Sequence, residues 1–234
     1  MLKKLGKIFL GILVLVLISA GILYALYHEP LPEGVAGKEG DALATKMLTA
    51  LNHEAYKEAR FLEWSFMDGK HSYKWDKEAD TVLVSWKNYQ VSLDLKNSTK
   101  SIAKKGNIRV ASAKEKQLIK KATSYFNNDS FWLVAPYKVS DKGTIRSIVH
   151  LENGKKGLMV TYTSGGDTPG DSYVWLLQPN GFPISFKMWV NIIPIGGLEA
   201  SWDAWQVTES GAFLPSQHQL GPVTLDMGTV RAYR

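Results

Sequence analysis

The sequence predicts an α+β, mainly β domain: one large curved antiparallel sheet of about eleven strands, with two main helices covering its concave face. An N-terminal transmembrane helix carries it. Three observations predict this. Residues 8–27, IFLGILVLVLISAGILYALY, hold no charge. Beyond residue 60 most of the chain alternates apolar and polar side chains in short runs between Asp-Gly and Asn-Gly turns, the period of antiparallel strands. Only two stretches, after Asp41 and after Ser112, repeat their apolar residues at helical spacing. No βαβ alternation appears, so no parallel sheet is expected.

Residues 1–27 read as a signal anchor. About 20 apolar residues cross a bilayer as a helix, and residues 8–27 supply them. A cleavable signal has a shorter apolar region of about 7–15 residues and a small-x-small site. Ile18-Ser19-Ala20 is a poor version of that site, and apolar residues continue past it. Lys3, Lys4 and Lys7 precede the run. By the positive-inside rule they hold the N-terminus in the cytoplasm. The expected address is therefore the inner (cytoplasmic) membrane, single-pass and uncleaved, with the soluble domain in the periplasm. Residues 28–40, HEPLPEGVAGKEG, read as a Pro/Gly-rich linker that tethers the domain, residues 41–234, near the bilayer.

Within the domain, Asp41 is placed to cap a helix whose stripe is Leu43, Met47, Ala50 and Leu51, running to about residue 57. Leu62, Trp64 and Phe66 share one face of a strand, then Asp68-Gly69 turns the chain. Tyr73 and Trp75 share a face of the next strand; Val82, Val84 and Trp86 follow, then Tyr89, Val91, Leu93 and Leu95. This is a meander with one apolar face. Ser112 and Glu115 have capping-box spacing and open a second helix with the stripe Leu118, Ile119, Ala122, Tyr125 and Phe126. Further strands are expected at 144–151, 157–163, 172–177, 183–190, 199–208, 212–219 and 222–230. Asn153-Gly154, the loop from Ser164 to Gly170, and Asn180-Gly181 supply turns.

The composition removes several chemistries. The chain has 234 residues, 45% of them hydrophobic, and no Cys. There is thus core enough for a folded domain, and no disulfide framework, thiolate metal site, Cys nucleophile or lipid-modified Cys. The hydrolase elbow G-x-S-x-G, the P-loop and the dinucleotide fingerprint are absent. The five His (28, 53, 71, 150 and 218) show no metal-ligand spacing, so no metal and no cofactor is expected. Asp167 and Asp171 sit in a Gly/Pro loop and read as turn residues, because further cation ligands are missing. No nucleophile stands beside a recognisable base.

The net charge of +6 is uneven, since residues 131–234 balance. The surplus lies between Lys96 and Lys121, where Glu115 is the one acidic residue. Lys104, Lys105, Arg109, Lys116, Lys120 and Lys121 form a patch suited to anionic lipid headgroups, with a solvated face as the plain alternative. No nucleic-acid partner is expected.

The eight Trp carry the strongest signal. By strand parity Leu62, Trp64, Phe66, Tyr73, Trp75, Val84, Trp86, Trp175, Phe186, Met188 and Trp202 point inward, and Trp132 is counted with them. Such a large sheet is not filled by two helices, and these residues would wall an apolar cavity. Trp189 and Trp205 take the opposite parity. The hairpin YVWLLQPNGFPISFKMWV is therefore apolar on both faces, and its outer face needs a cover: a loop such as residues 191–198, or a partner.

The Trp64-Ser-Phe66 strand after a helix, and the order helix, meander, helix, longer meander, resemble the LolA/LolB-like lipoprotein-carrier superfamily. FWLVAPYKVSDKG and TPGDSYVWLLQPNGFPISFKMWVNIIPIGGLEASWDAW are similar to a membrane-anchored LolA-like group associated with Bacteroidetes-type bacteria. The resemblance covers roughly residues 41–230. It implies an incomplete barrel with a helical lid and a cavity for the acyl chains of a lipoprotein or lipid. The family's gating Arg has no matching position in this sequence, and the anchor argues against free shuttling. Three readings follow: a membrane-anchored binding or transfer protein, with a protein partner in a lipid-handling system among its expected contacts; an enzyme acting on a lipid-like substrate in the same cavity; or a partner-binding module using Trp189 and Trp205.

Overall fold

A computed structural model describes residues 2–152, 154–165 and 168–234. Asn153 of the expected Asn153-Gly154 turn and Asp167 of the Asp167/Asp171 pair lie outside the described residues. The chain opens with helix α1 (Leu2–Tyr27). It is the one described helix long and apolar enough to cross a membrane, with a mean hydropathy of 2.7 and no buried residues in its apolar window. Strand β1 (Val35–Ala36) and helices α2 (Lys38–Ala50) and α3 (His53–Glu58) follow.

A meander comes next: β2 (Phe61–Phe66), β3 (His71–Asp76), β4 (Thr81–Trp86), β5 (Tyr89–Asp94), β6 (Ile102–Lys105) and β7 (Ile108–Arg109). Helix α4 spans Ser112–Val134. The second half holds β8 (Thr144–His150), β9 (Lys156–Tyr162), β10 (Ser172–Leu177), β11 (Pro183–Trp189), β12 (Leu198–Ser201), β13 (Trp205–Val207), β14 (Phe213–Pro215), β15 (Gln217–Leu220), β16 (Val223–Asp226) and β17 (Arg231–Tyr233).

The class is α+β with antiparallel sheets, and the sheets do not close. The expected single sheet is instead two, plus the small hairpin β13-β14. One has the order β1-β8-β9-β10-β11-β12-β15-β16, the other β17-β2-β3-β4-β5-β6-β7. A seam joins them. The Ser65 and Met67 amides donate to Met227 O (3.1 Å) and Asp226 O (2.8 Å), and β17 pairs with the other end of β2. The chain leaving β16 thus crosses from one sheet to the next.

Three expectations about elements are corrected. Helix α2 starts at Lys38 after Gly37 (φ 138), and Asp41 serves an ion pair with Arg146 (2.5 Å) instead of a cap. The helix also stops at Ala50, because Asn52 takes a left-handed conformation (φ 54) before the short α3. At α4 the capping box does not form: Ala111 is the N-cap, and Glu115 is engaged elsewhere. The expected strands 199–208 and 212–219 each break in two, giving β12/β13 and β14/β15; the expected strand 222–230 is the shorter β16, and β17 begins beyond it at Arg231. The basic stretch 102–109 forms the edge hairpin β6-β7.

One apolar core unites both sheets with α2 and α4. Alternation sets it: β2 buries Leu62, Trp64 and Phe66, and β4 buries Val82, Val84 and Trp86. Helix α2 contributes Ala44, Met47 and Leu48. It approaches β8 so closely at Gly40 that a Cβ there would stand 2.7 Å from Arg146 O. Gly→Ala in a helix normally stabilises by about 1 kcal/mol. Here the backbone clash reverses the sign. Gly40→Ala should destabilise by about 1–3 kcal/mol, read as a lower thermal midpoint; a raised midpoint would contradict the close approach.

Candidate functional site: the aromatic interior beneath α4

The inward residues form two aromatic walls with α4 between them. On the first sheet Trp64 stacks on Tyr73 with centroids 4.5 Å apart, and Phe126 of α4 meets Trp75 edge-on at 5.2 Å. On the second sheet Trp175 packs against Trp202 (5.0 Å) and Phe186 (5.1 Å). Phe131 of α4 meets Tyr173 at 4.7 Å, and Trp132 meets Phe186 at 5.6 Å.

All twelve residues expected to line a cavity fall in this single cluster. Leu62, Trp64, Phe66, Tyr73, Val84, Trp86, Trp175, Phe186, Met188 and Trp202 are buried, and Trp75 and Trp132 are half-buried against them. They pack on one another and on α4. The helix's length allows this. It continues past Phe126 to Val134 and brings Phe131, Trp132 and Leu133 inward. Two hollows occur at the surface of the described residues. One of about 800 Å³ is at the surface, between Ser98/Thr99 and the Lys116–Ser124 side of α4. The other, about 320 Å³, involves Glu63, Ser72, Lys74 and Ser85 on the first sheet.

Among the described residues, five buried polar atoms have no partner: Nε1 of Trp64, Trp75, Trp175 and Trp202, and the hydroxyl of Tyr162. Each buried unsatisfied group costs about 1–3 kcal/mol, and native interiors contain few of them. Burial also pushes the Tyr162 phenol up from its ordinary pKa. These are donors under an apolar roof with nothing to donate to.

Three polar latches hold α4 down. At its start Arg109 donates to Glu115 through Nε (3.0 Å) and Nη2 (3.1 Å), and the Ala103 amide adds a third bond at 3.1 Å. The Arg109 hydrogen bond, then that amide, holds the Glu115 carboxyl below its usual range. In its middle, buried Asp129 accepts from Tyr73 Oη (2.5 Å) and Asn128 Nδ2 (2.8 Å), and lies 2.7 Å from His71 Nδ1. Tyr125 stacks on His71 at 3.8 Å. Burial and then the Asp129 charge raise the Tyr73 phenol. At the helix end the Trp132 carbonyl would bond the amide of residue 136, but Pro136 has none. His218 supplies the contact instead: Nε2 lies 2.7 Å from Trp132 O and Nδ1 2.8 Å from Ser201 O. Burial, the leading cause, pushes the His218 imidazole below its ordinary pKa despite both carbonyls.

Asp129 beside His71 is the nearest thing to a catalytic pair, yet its other contacts are to Tyr73 and Asn128, so the geometry is that of a latch. Sequence reasoning missed Asp129, because Asn127-Asn128-Asp129-Ser130 reads as a polar helix end. The signal available was Pro136, which places the true end later.

The outer face of the second sheet has its own apolar cluster, Val149, Met159 and Val174, with Leu151, Leu176 and Trp189 packed on it. Residues 28–36 lie across it as a strap. The Trp189 indole N–H donates to Glu29 O (2.7 Å), Lys187 pairs with the Glu29 carboxylate (2.7 Å), and β1 pairs with β8. Trp189 is thus covered from within the chain. Trp205 is half-buried, and its N–H donates to Trp202 O (2.5 Å). In the basic patch Lys104, Lys105, Lys116, Lys120 and Lys121 are exposed, whereas Arg109 is taken by Glu115. No family model matches the chain, and no curated protein matches it closely enough to name a relative.

Two outcomes follow from the latches. Asp129→Leu strands the buried Tyr73 hydroxyl and should cost about 1–3 kcal/mol in urea unfolding; an unchanged midpoint contradicts the latch. For His218 the folded pKa is lowered, so the unfolded chain binds more protons below the ordinary value of 6.5. The stability it contributes is present above pH 6.5 and is lost as pH falls through the folded value. His53, also lowered by burial first, acts with the same sign. His218→Gln should flatten the fall in thermal midpoint below pH 6.5; an identical slope in the variant contradicts the burial of a neutral imidazole.

Proposed function

We propose that this is a membrane-anchored binding or transfer protein, held in the inner membrane by α1, with its domain in the periplasm. It takes an acyl chain of a lipid or lipoprotein between the two aromatic walls and α4. One observation carries the reading: four indole N–H groups and a phenol stand unpaired in a packed aromatic interior, under a helix fastened by discrete polar latches. An amphiphile bearing ester or amide carbonyls suits such a site. Its chain replaces the aromatic surface of α4, and its oxygens accept from the orphan donors, whose unmet cost becomes binding free energy. The LolA-like resemblance implies the same ligand class. The exposed lysines at 104, 105, 116, 120 and 121 complement anionic headgroups. The reading assigns no catalytic residue and no cofactor.

The test is ligand content and its chemistry. The full chain, purified and extracted with organic solvent, should release acyl lipids identifiable by mass spectrometry. Trp175→Phe with Trp202→Phe leaves one aromatic ring at each position and removes two donors. Each hydrogen bond is worth about 0.5–1.5 kcal/mol, so affinity for an ester-bearing acyl ligand should fall roughly 2–10-fold per donor engaged. Affinity for a hydrocarbon of equal length should change less. A chain that neither carries nor takes up any acyl ligand refutes the proposal.

A further inference from the structure

The strap begins where α1 ends, and its first two residues are fastened to one loop. The His28 amide donates to Tyr24 O (2.9 Å), and the two rings stack at 4.4 Å, so His28 continues the helix. The Gly196 amide donates to His28 Nδ1 (3.0 Å), and the Glu29 amide donates to Gly196 O (2.9 Å). A Cβ on Gly196 would stand 2.4 Å from Trp189 Cδ1 and 2.8 Å from Glu29 O, so the approach leaves no slack. Lys187 pins the Glu29 side chain from the neighbouring strand.

This fixes the height of the loop. An extended residue spans at most about 3.6 Å, so Gly196, bonded to residues 28 and 29, lies within roughly 10 Å of the end of α1, and Ile192 is four residues along the loop from it. The loop, residues 191–197, reads NIIPIGG and carries no charge. Ile192 is 72% exposed and Pro194 is exposed. The β15-β16 turn lies at the same end of the sheet, since Ala200 pairs with Leu220, and it exposes Val223. Tyr24 and Tyr27, at the last turn of α1, are side chains that favour the membrane interface.

We propose that the Ile192-Ile193-Pro194-Ile195 loop inserts into the interface of the bilayer that α1 spans, so that the domain is seated on the membrane at a fixed orientation. This rests on the anchor reading above. The occupant is a phospholipid surface, because a membrane-spanning helix and an uncharged apolar loop share one hydrogen-bonded junction. Seating by the strap end directs the 191–197 loop and the β15-β16 turn toward the lipid and holds the domain without a flexible tether.

The absence of Cys makes the test clean. Ile192→Cys, Leu15→Cys and Gln178→Cys are each labelled with an environment-sensitive fluorophore in the full chain. Leu15 lies mid-helix in α1, and Gln178 is exposed at the opposite end of the β10-β11 hairpin. Each protein is reconstituted into phosphatidylcholine–phosphatidylglycerol vesicles carrying a nitroxide either near the top or near the middle of an acyl chain. The label at 192 should shift to the blue and be quenched by the shallow nitroxide. The label at 15 should be quenched by the deep one, and the label at 178 by neither. Quenching at 15 with position 192 behaving like 178 overturns the loop contact and leaves the anchor standing. No deep quenching at 15 overturns the anchor, and this inference with it.

Discussion

Helix α4 must satisfy two sheets at once, and the inner architecture depends on how it does so. Its apolar residues reach both walls: Phe126 toward Trp75, Phe131 toward Tyr173 and Trp132 toward Phe186. Apolar packing is non-directional and does not set where such a helix sits. The polar contacts do. Glu115 meets Arg109, Asp129 meets Tyr73 and His71, and the Trp132 carbonyl meets His218. Each latch ties a different point of the helix to a different strand. The site proposed for a lipophilic ligand is the surface this helix covers, and breaking polar contacts of this kind is how a covering helix is released.

The outer face obeys a different constraint. A hairpin apolar on both faces needs two covers, and an antiparallel sheet ordinarily has one. The inner cover is α4 and α2. The outer cover is the chain's own strap, residues 28–36, held through Glu29 to Lys187 and Trp189. The same strap connects to α1, so under the proposed anchoring the solution to a packing problem also sets how the domain would meet the membrane.

Strand parity was legible in the sequence because a period of two leaves little freedom: Trp64, Trp175, Phe186 and Trp202 occupy the inner face by alternation alone. The end of α4 was not, because Asn127 to Ser130 is polar, and the distant His71 and Tyr73, with Asn128, make a buried Asp129 tolerable. The strap was not legible either. Pro and Gly between residues 28 and 40 carry the composition of a tether, and what docks them is a set of contacts more than 100 residues away, such as Glu29 to Lys187 at a separation of 158. The division into two sheets escaped for a similar reason, since Ser65 and Met67 find Met227 and Asp226 only in the folded chain. Local periodicity reports faces; long-range polar contacts decide ends, seams and covers.

The central claim is that α4 is a removable cover over an aromatic ligand site. Thr99 and Lys120 line one surface hollow, on the sheet side and on α4. Thr99→Cys and Lys120→Cys can be bridged there by a short bis-maleimide. Uptake of a fluorescent acyl ligand by the bridged and unbridged forms of that variant is the direct measurement. The account predicts that the unbridged protein takes up ligand and the bridged protein does not. Equal uptake by the two forms would contradict it.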